Sequence, residues 1–192
     1  ETNRAQDIFS SLSHFIPVEA EDFFKDFLDG YHFNKDSNFS KDWYLEFEKS
    51  EEYHLQYLSS CKWSDLKAHN LIQNQLKDKN FNLQMGNSTS VRYIQLFKQQ
   101  KDLKYNSNRG VSGIDGSSST AVGAASVTDE LTVLITGDLS FIYDQHALWN
   151  KEVPKNLKII VVNNQGGGIF NIISGPKTTP YSKEFFETSH EI

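Results

Sequence analysis

Two apolar runs constrain this chain more than any other feature: LTVLIT, residues 131 to 136, and LKIIVV, residues 157 to 162. Neither alternates strictly between apolar and polar positions. A strand with one wet face does alternate, so these runs read as strands covered on both faces, as in a parallel sheet between helices. The segments around them fit that reading. SDLKAHNLIQNQL opens with Ser64 as an N-cap and carries Ala68, Leu71, Ile72 and Leu76 at helical spacing. FNLQM reads as a short strand, SVRYIQLF as a helix and KYNSN as a weak strand. GSSSTAVGAASV is a helix of small residues able to pack closely on a sheet, and SFIYDQHALWN is a further helix. Strands alternating with helices predict an α/β fold, a parallel sheet with helices on both faces.

The N-terminal third has a different texture. Phe23–Phe24 and Phe27–Leu28 are spaced for an amphipathic helix, and YHFNKDSNFSKDW then dissolves into the polar residues of a linker. The expected organisation is a first segment over 1–30, a linker over 31–62 and the α/β domain over 63–192. With 192 residues there is room for one sizeable core, or for one domain and part of another. The chain opens on Glu1 and stops at SHEI with no closing element, so the expectation is a piece of a larger protein with its last domain incomplete.

Composition removes several function classes. The formal net charge of −6, with no Lys/Arg cluster interleaved with aromatics, argues against a nucleic-acid binder. Cys61 is alone, so neither a disulfide framework nor a thiolate metal site can form, and a reducing, cytoplasmic setting is expected. No run reaches membrane-spanning length, so no stable membrane insertion is expected, and ETNRAQDIFSS lacks the shape of a signal peptide. The sequons at Asn38 and Asn87 are read as chance.

The chemistry concentrates at the ends of the two strands. The first leads into Gly137-Asp138-Leu139-Ser140, the second into Asn163-Asn164-Gln165 and the glycines 166 to 168. In an open α/β sheet, ligands bind outside the carboxyl ends of the strands. If these strands are neighbours, a carboxylate, an amide oxygen and an exposed backbone carbonyl converge. That is a hard-oxygen set suited to Mg²⁺, whose shell phosphate oxygens and water would complete. The plainer alternative is Asp138 as a helix cap beside a tight glycine turn. Competing phosphate motifs fail, because GxxxxGK[ST] is absent and the glycine run is not GxGxxG. GVSGI around Ser112 lacks the second glycine of a hydrolase elbow. None of the six histidines pairs at metal-ligand spacing, and most read as surface or helix-packing residues.

Four stretches taken together carry a family resemblance: GNSTSVRYIQLF, SNRGVSGIDGSSSTAVGAA, GDLSFIYDQHALWN and VVNNQGGGIFNII. GD followed about twenty-six residues later by NN resembles the cofactor signature of thiamine diphosphate (ThDP) enzymes. The combination resembles the 2-succinyl-5-enolpyruvyl-6-hydroxy-3-cyclohexene-1-carboxylate synthase (MenD) family of menaquinone (vitamin K2) biosynthesis. The match is dense from about residue 64 to 175 and looser over SHFIPVEAEDFFKDFL. The resemblance implies a ThDP-binding, diphosphate-domain fold preceded by the end of a central domain. It implies that Asp138, Asn164 and the Gly166 carbonyl hold Mg²⁺ or Mn²⁺, and that Leu139, Ser140 and Gly167 hold the diphosphate. Ser112, Gly113 and Ile114 would contact the cofactor, with Ile114 propping it in its bent form. Ser88, Arg92 and Arg109 would bind the carboxylates of isochorismate and 2-oxoglutarate, since a guanidinium grips a carboxylate bidentately. Ile169, Phe170 and Ile173 would wall the substrate ring.

The implied reaction joins decarboxylated 2-oxoglutarate to isochorismate. Its activating glutamate would come from an N-terminal domain of a partner subunit, in a homodimer or homotetramer with shared sites. No catalytic residue proper is therefore expected within this chain, which alone should be inactive. Two rivals stand beside this reading: another ThDP-dependent 2-oxo acid decarboxylase or carboligase, and a noncatalytic phosphate-binding module.

Overall fold

The computed structural model describes residues 5–32 and 37–191 and divides into two compact units, Glu1–Tyr53 and His54–Ile192. In the first, helix α1 (Ala20–Gly30) has Glu21 and Asp22 in its first turn, where negative charge favours the helix dipole. Its apolar spacing produces a ladder of rings, with Phe23 on Phe27 at 6.0 Å and Phe27 on Tyr31 at 5.1 Å. None of its residues is buried.

Helix α2 (Phe39–Ser60) occupies much of the 31–62 stretch that the sequence reads as a linker, of which residues 33–36 lie outside the described residues. The run of Leu, Glu, Lys and Gln from Leu45 onward favours helix. Its aromatic residues do not gather on a covered stripe: Trp43, Tyr44 and Phe47 are all exposed. The periodicity that reveals an amphipathic helix is therefore weak here.

The second unit is built on a four-stranded sheet, all parallel, in the order β2-β1-β3-β4. The strands are β1 (Asn82–Met85), β2 (Lys104–Ser107), β3 (Thr132–Gly137) and β4 (Leu157–Val162). Helix α3 (Asp65–Leu76) precedes β1, and its expected cap is present, Ser64 Oγ accepting the Lys67 N–H at 3.4 Å. Helix α4 (Thr89–Ile94) leads from β1 to β2, α5 (Ser117–Ser126) from β2 to β3, and α6 (Asp138–Tyr143) from β3 toward β4.

Alternate side chains of the central strands serve the two faces. Leu83, Met85, Val133 and Ile135 form one cluster with Phe81, Val91 and Ile94, against which Ile72 and Leu76 of α3 pack. Leu134, fully buried, points the other way, toward the face that α5 covers with Ala121 and Ala125. Both faces of β3 are thus closed, which is why its sequence shows no alternation. On α3 the buried His69 ring directs Nδ1 to the Asp65 carbonyl at 2.7 Å, and burial pushes its pKa below the ordinary histidine value.

Strand order decides where a ligand can sit. From β1 the chain crosses one way to β2 and then returns past β1 to β3. The direction of winding therefore reverses between β1 and β3, and their carboxyl ends flank the crevice that such a reversal opens. Gly86 is the residue that lets those ends close up: a Cβ there would stand 2.6 Å from Thr136 Oγ1.

Candidate functional site

Three chain turns meet above this crevice. From β1 comes Gly86-Asn87-Ser88, from β3 comes Gly137-Asp138, and from its neighbour β4 comes the Asn163–Gly168 loop. They enclose a cavity of about 100 Å³. Ser88, Ile114, Asp138, Leu139, Ser140, Asn164, Gly166, Gly167, Ile169 and Phe170 all reach its wall, together with Asn87. A wider polar recess of about 580 Å³ adjoins it on the far side of the glycine loop, edged by Glu187, Ser189 and His190.

Asp138 is 2% exposed. The N-cap of α6 is Gly137, in extended conformation, and Asp138 is already the first helical residue. Its carboxylate satisfies one free N–H of the first helical turn and one N–H outside the helix. Oδ1 accepts the adjacent Leu139 N–H at 2.8 Å and Oδ2 accepts the Gly166 N–H at 2.9 Å across the crevice. Among the described residues no Lys or Arg pairs with it, the one basic group at hand being His190, whose Nε2 stands 3.1 Å from Oδ2. A buried carboxylate held this way favours a cation from solution.

The remaining donors fit that need. Asn164 Nδ2 donates to Asp65 Oδ2 at 2.8 Å, which fixes the amide and leaves Oδ1 as its free acceptor. No group of three His, Cys, Asp or Glu side chains gathers anywhere among the described residues. A cation here would therefore rely on one carboxylate, amide and backbone oxygens, and oxygens of its own ligand. Mg²⁺ bound to a phosphate has that kind of shell.

Several expected donors are engaged within the protein. Ser140 Oγ donates to the Ile114 carbonyl in a short hydrogen bond, joining α6 to the SGIDG loop. Gly167 N–H donates to the Glu187 carbonyl at 2.6 Å, and the Gly166 carbonyl accepts Gly168 N–H at 3.0 Å. Gly166 has φ +154 and a Cβ there would lie 2.5 Å from the Glu187 carbonyl, so only glycine fits. Ser112, exposed with φ +61, and Gly113 lie outside the cavity, as does Ile173, which is 41% exposed.

The arginines do not enter the cavity, yet both are tied to its rim. Arg92 Nη1 donates to the Ser88 carbonyl at 2.6 Å, the i,i+4 relation that the sequence spacing implies. Arg109 Nη1 donates to Asn87 Oδ1 at 3.0 Å. Each guanidinium keeps further N–H groups for an incoming carboxylate.

Asn87, Asp144 and His190 matter here although sequence reasoning assigned them no role. Asn87 is 2% exposed, and its Nδ2 donates to the Asn108 carbonyl at 2.8 Å and the Gly113 carbonyl at 2.6 Å. One side chain thus ties the Arg109 loop and the SGIDG loop to the end of β1. That burial also rules out glycosylation at its sequon. The signal available in the sequence was an Asn directly after Gly86 at a strand end, the same placement as Asp138 after Gly137.

Ser88 sits at φ +71, ψ −123, a conformation that suits glycine. Such strain at a non-glycine residue is of the order of 1–3 kcal/mol and persists where the side chain is needed. Ser88→Gly is expected to raise stability by about 1 kcal/mol in denaturant titrations while weakening whatever the hydroxyl binds. A destabilised glycine variant would show that the backbone is not strained.

No family model matches the chain. A protein of Flavobacterium johnsoniae named 2-succinyl-5-enolpyruvyl-6-hydroxy-3-cyclohexene-1-carboxylate synthase is 45% identical to it over 193 residues, 100% of this chain. Proteins of the same name from Flavobacterium psychrophilum and Porphyromonas gingivalis are 43% and 37% identical over 98% of it. The chain belongs to this synthase family. It spans about a third of the length of these relatives, 34% in each case. The parallel α/β sheet predicted from the alternation of strands and helices is the sheet observed.

Proposed function

We propose that this chain is the diphosphate-binding part of a synthase that joins decarboxylated 2-oxoglutarate to isochorismate, yielding the product for which its relatives are named. The observation that carries the proposal is the convergence at one crevice of a buried carboxylate with no Lys or Arg partner among the described residues, a glycine loop and two rim-bound arginines. In this reading Asp138, Asn164 and the Gly166 carbonyl hold Mg²⁺ or Mn²⁺. The backbone around Leu139 and Gly167, with Ser140, faces the diphosphate. Ile114, on the cavity wall, supports the bend of the cofactor, with Ser112 and Gly113 shaping its loop. When bound, ThDP supplies the carbanion chemistry.

The chain's own residues bind and orient. Arg92 and Arg109 keep unspent donors at the rim, Ser88 adds a hydroxyl, and Ile169, Phe170 and Ile173 offer an apolar surface to the substrate ring. The activating glutamate would come from another domain, in a cytoplasmic homodimer or homotetramer with shared sites.

Replacing either arginine by Ala tests this reading. Losing a hydrogen-bonded charge pair is worth roughly 1.5–3 kcal/mol, so the KM for one dicarboxylate should rise by about one to two orders of magnitude. ThDP affinity should stay within about twofold. Loss of ThDP and substrate affinity together would make the arginine a structural residue.

A further inference from the structure

His190 stands far from Asp138 in sequence and beside it in space. Its side chain is 18% exposed, and Nε2 lies 3.1 Å from Asp138 Oδ2. Among the described residues neither ring nitrogen completes a hydrogen bond, although both are buried. Its segment is anchored to the glycine loop by Gly167 N–H donating to the Glu187 carbonyl at 2.6 Å. The Asp138 carboxylate is filled unevenly. Among the described residues, Oδ2 has the Gly166 N–H and the nearby imidazole, whereas Oδ1 has only the Leu139 N–H.

Metal-ligating carboxylates are themselves commonly oriented by a second hydrogen-bonding group. Taking the metal site of the proposed function as given, we infer that His190 is a positioning residue for Asp138. With its N–H turned to Oδ2, the imidazole leaves Oδ1 for the cation. His190 touches neither metal nor cofactor; it sets the rotation of the carboxylate that does.

The test is a titration of the full-length protein with Mn²⁺ in the presence of saturating ThDP, following bound Mn²⁺ by electron paramagnetic resonance. His190→Ala should weaken Mn²⁺ binding about 10–100-fold, the usual consequence of losing such a partner. His190→Gln, whose amide nitrogen can reach the position of Nε2, should recover affinity to within about threefold of the unsubstituted protein. His190→Asn, whose nitrogen falls near Nδ1, should not. In an Asp138→Asn background, His190→Ala should produce no further loss.

Unchanged Mn²⁺ affinity in His190→Ala, or Gln no better than Asn, overturns the inference while leaving the metal site standing. Failure of the unsubstituted protein to bind Mn²⁺ with ThDP overturns the site and the inference together. Should the alanine variant not fold, the comparison of Gln with Asn decides the matter.

Discussion

Asp138→Asn is expected to lower the affinity of the full-length protein for ThDP in the presence of Mg²⁺ on the order of 100-fold, about 2.7 kcal/mol. The substitution removes the carboxylate that lines the cavity and with it the charge that balances the cation. It is not silent toward the fold. The carboxylate accepts one N–H on each oxygen, from Leu139 and from Gly166, whereas an amide can accept on one side only. One buried N–H loses its partner, and a destabilisation of about 1–2 kcal/mol accompanies the binding defect.

The two effects separate by their metal dependence. Calorimetry should show ThDP affinity rising with Mg²⁺ concentration in the unsubstituted protein and staying flat in the variant. Equal metal dependence in both would return Asp138 to a purely structural role.

The second large effect concerns stability. Asp144 follows α6 and is 2% exposed, yet its carboxylate serves another helix. Oδ2 accepts the Ser119 N–H at 2.7 Å and Oδ1 accepts the Ser119 hydroxyl at 2.6 Å. Ser119 is the third residue of α5, whose own N-cap is Gly116, in the left-handed region and without a side chain to cap anything. Asp144 therefore supplies across space the cap that α5 lacks in sequence.

Asp144→Ala breaks two charge-assisted hydrogen bonds and leaves a helix N–H unsatisfied. The expected loss is about 3 kcal/mol in urea unfolding. Asp144→Asn, still able to accept from the helix N–H, should recover roughly half. A loss below about 0.5 kcal/mol in the alanine variant would mean that water caps α5 equally well. Because α5 begins just after the SGIDG loop, loosening it should also be felt at Ile114.

What could be read from the sequence follows what is local. β3 and β4 declared themselves because both are long apolar runs, and Ser64 because capping is settled within one helical turn. α2 escaped because its aromatic residues stay exposed and trace no stripe. Strand order was not legible, since pairing is set by how helices fill the two faces. The sequence placed the ligand between β3 and β4, and the winding reversal brings the end of β1, with Asn87 and Ser88, to the same crevice.

Long-range partnerships were the least legible of all. Asn87 looked like part of a sequon, His190 like one more surface histidine, and nothing near Asp65 announces a bond to Asn164, ninety-nine residues away. Such roles exist only once the sheet has brought its strand ends together.

In the proposed function the crevice above β1, β3 and β4 holds a metal-bridged diphosphate. The most direct measurement is a crystal of the full-length protein grown with ThDP and Mn²⁺, with anomalous scattering recorded at the manganese edge. A single peak is expected within metal-ligand distance of the Asp138 carboxylate and the Asn164 amide oxygen, beside the glycine loop, with the diphosphate completing its shell. Bound cofactor with manganese elsewhere, or an ordered crevice without manganese at full ThDP occupancy, would contradict it.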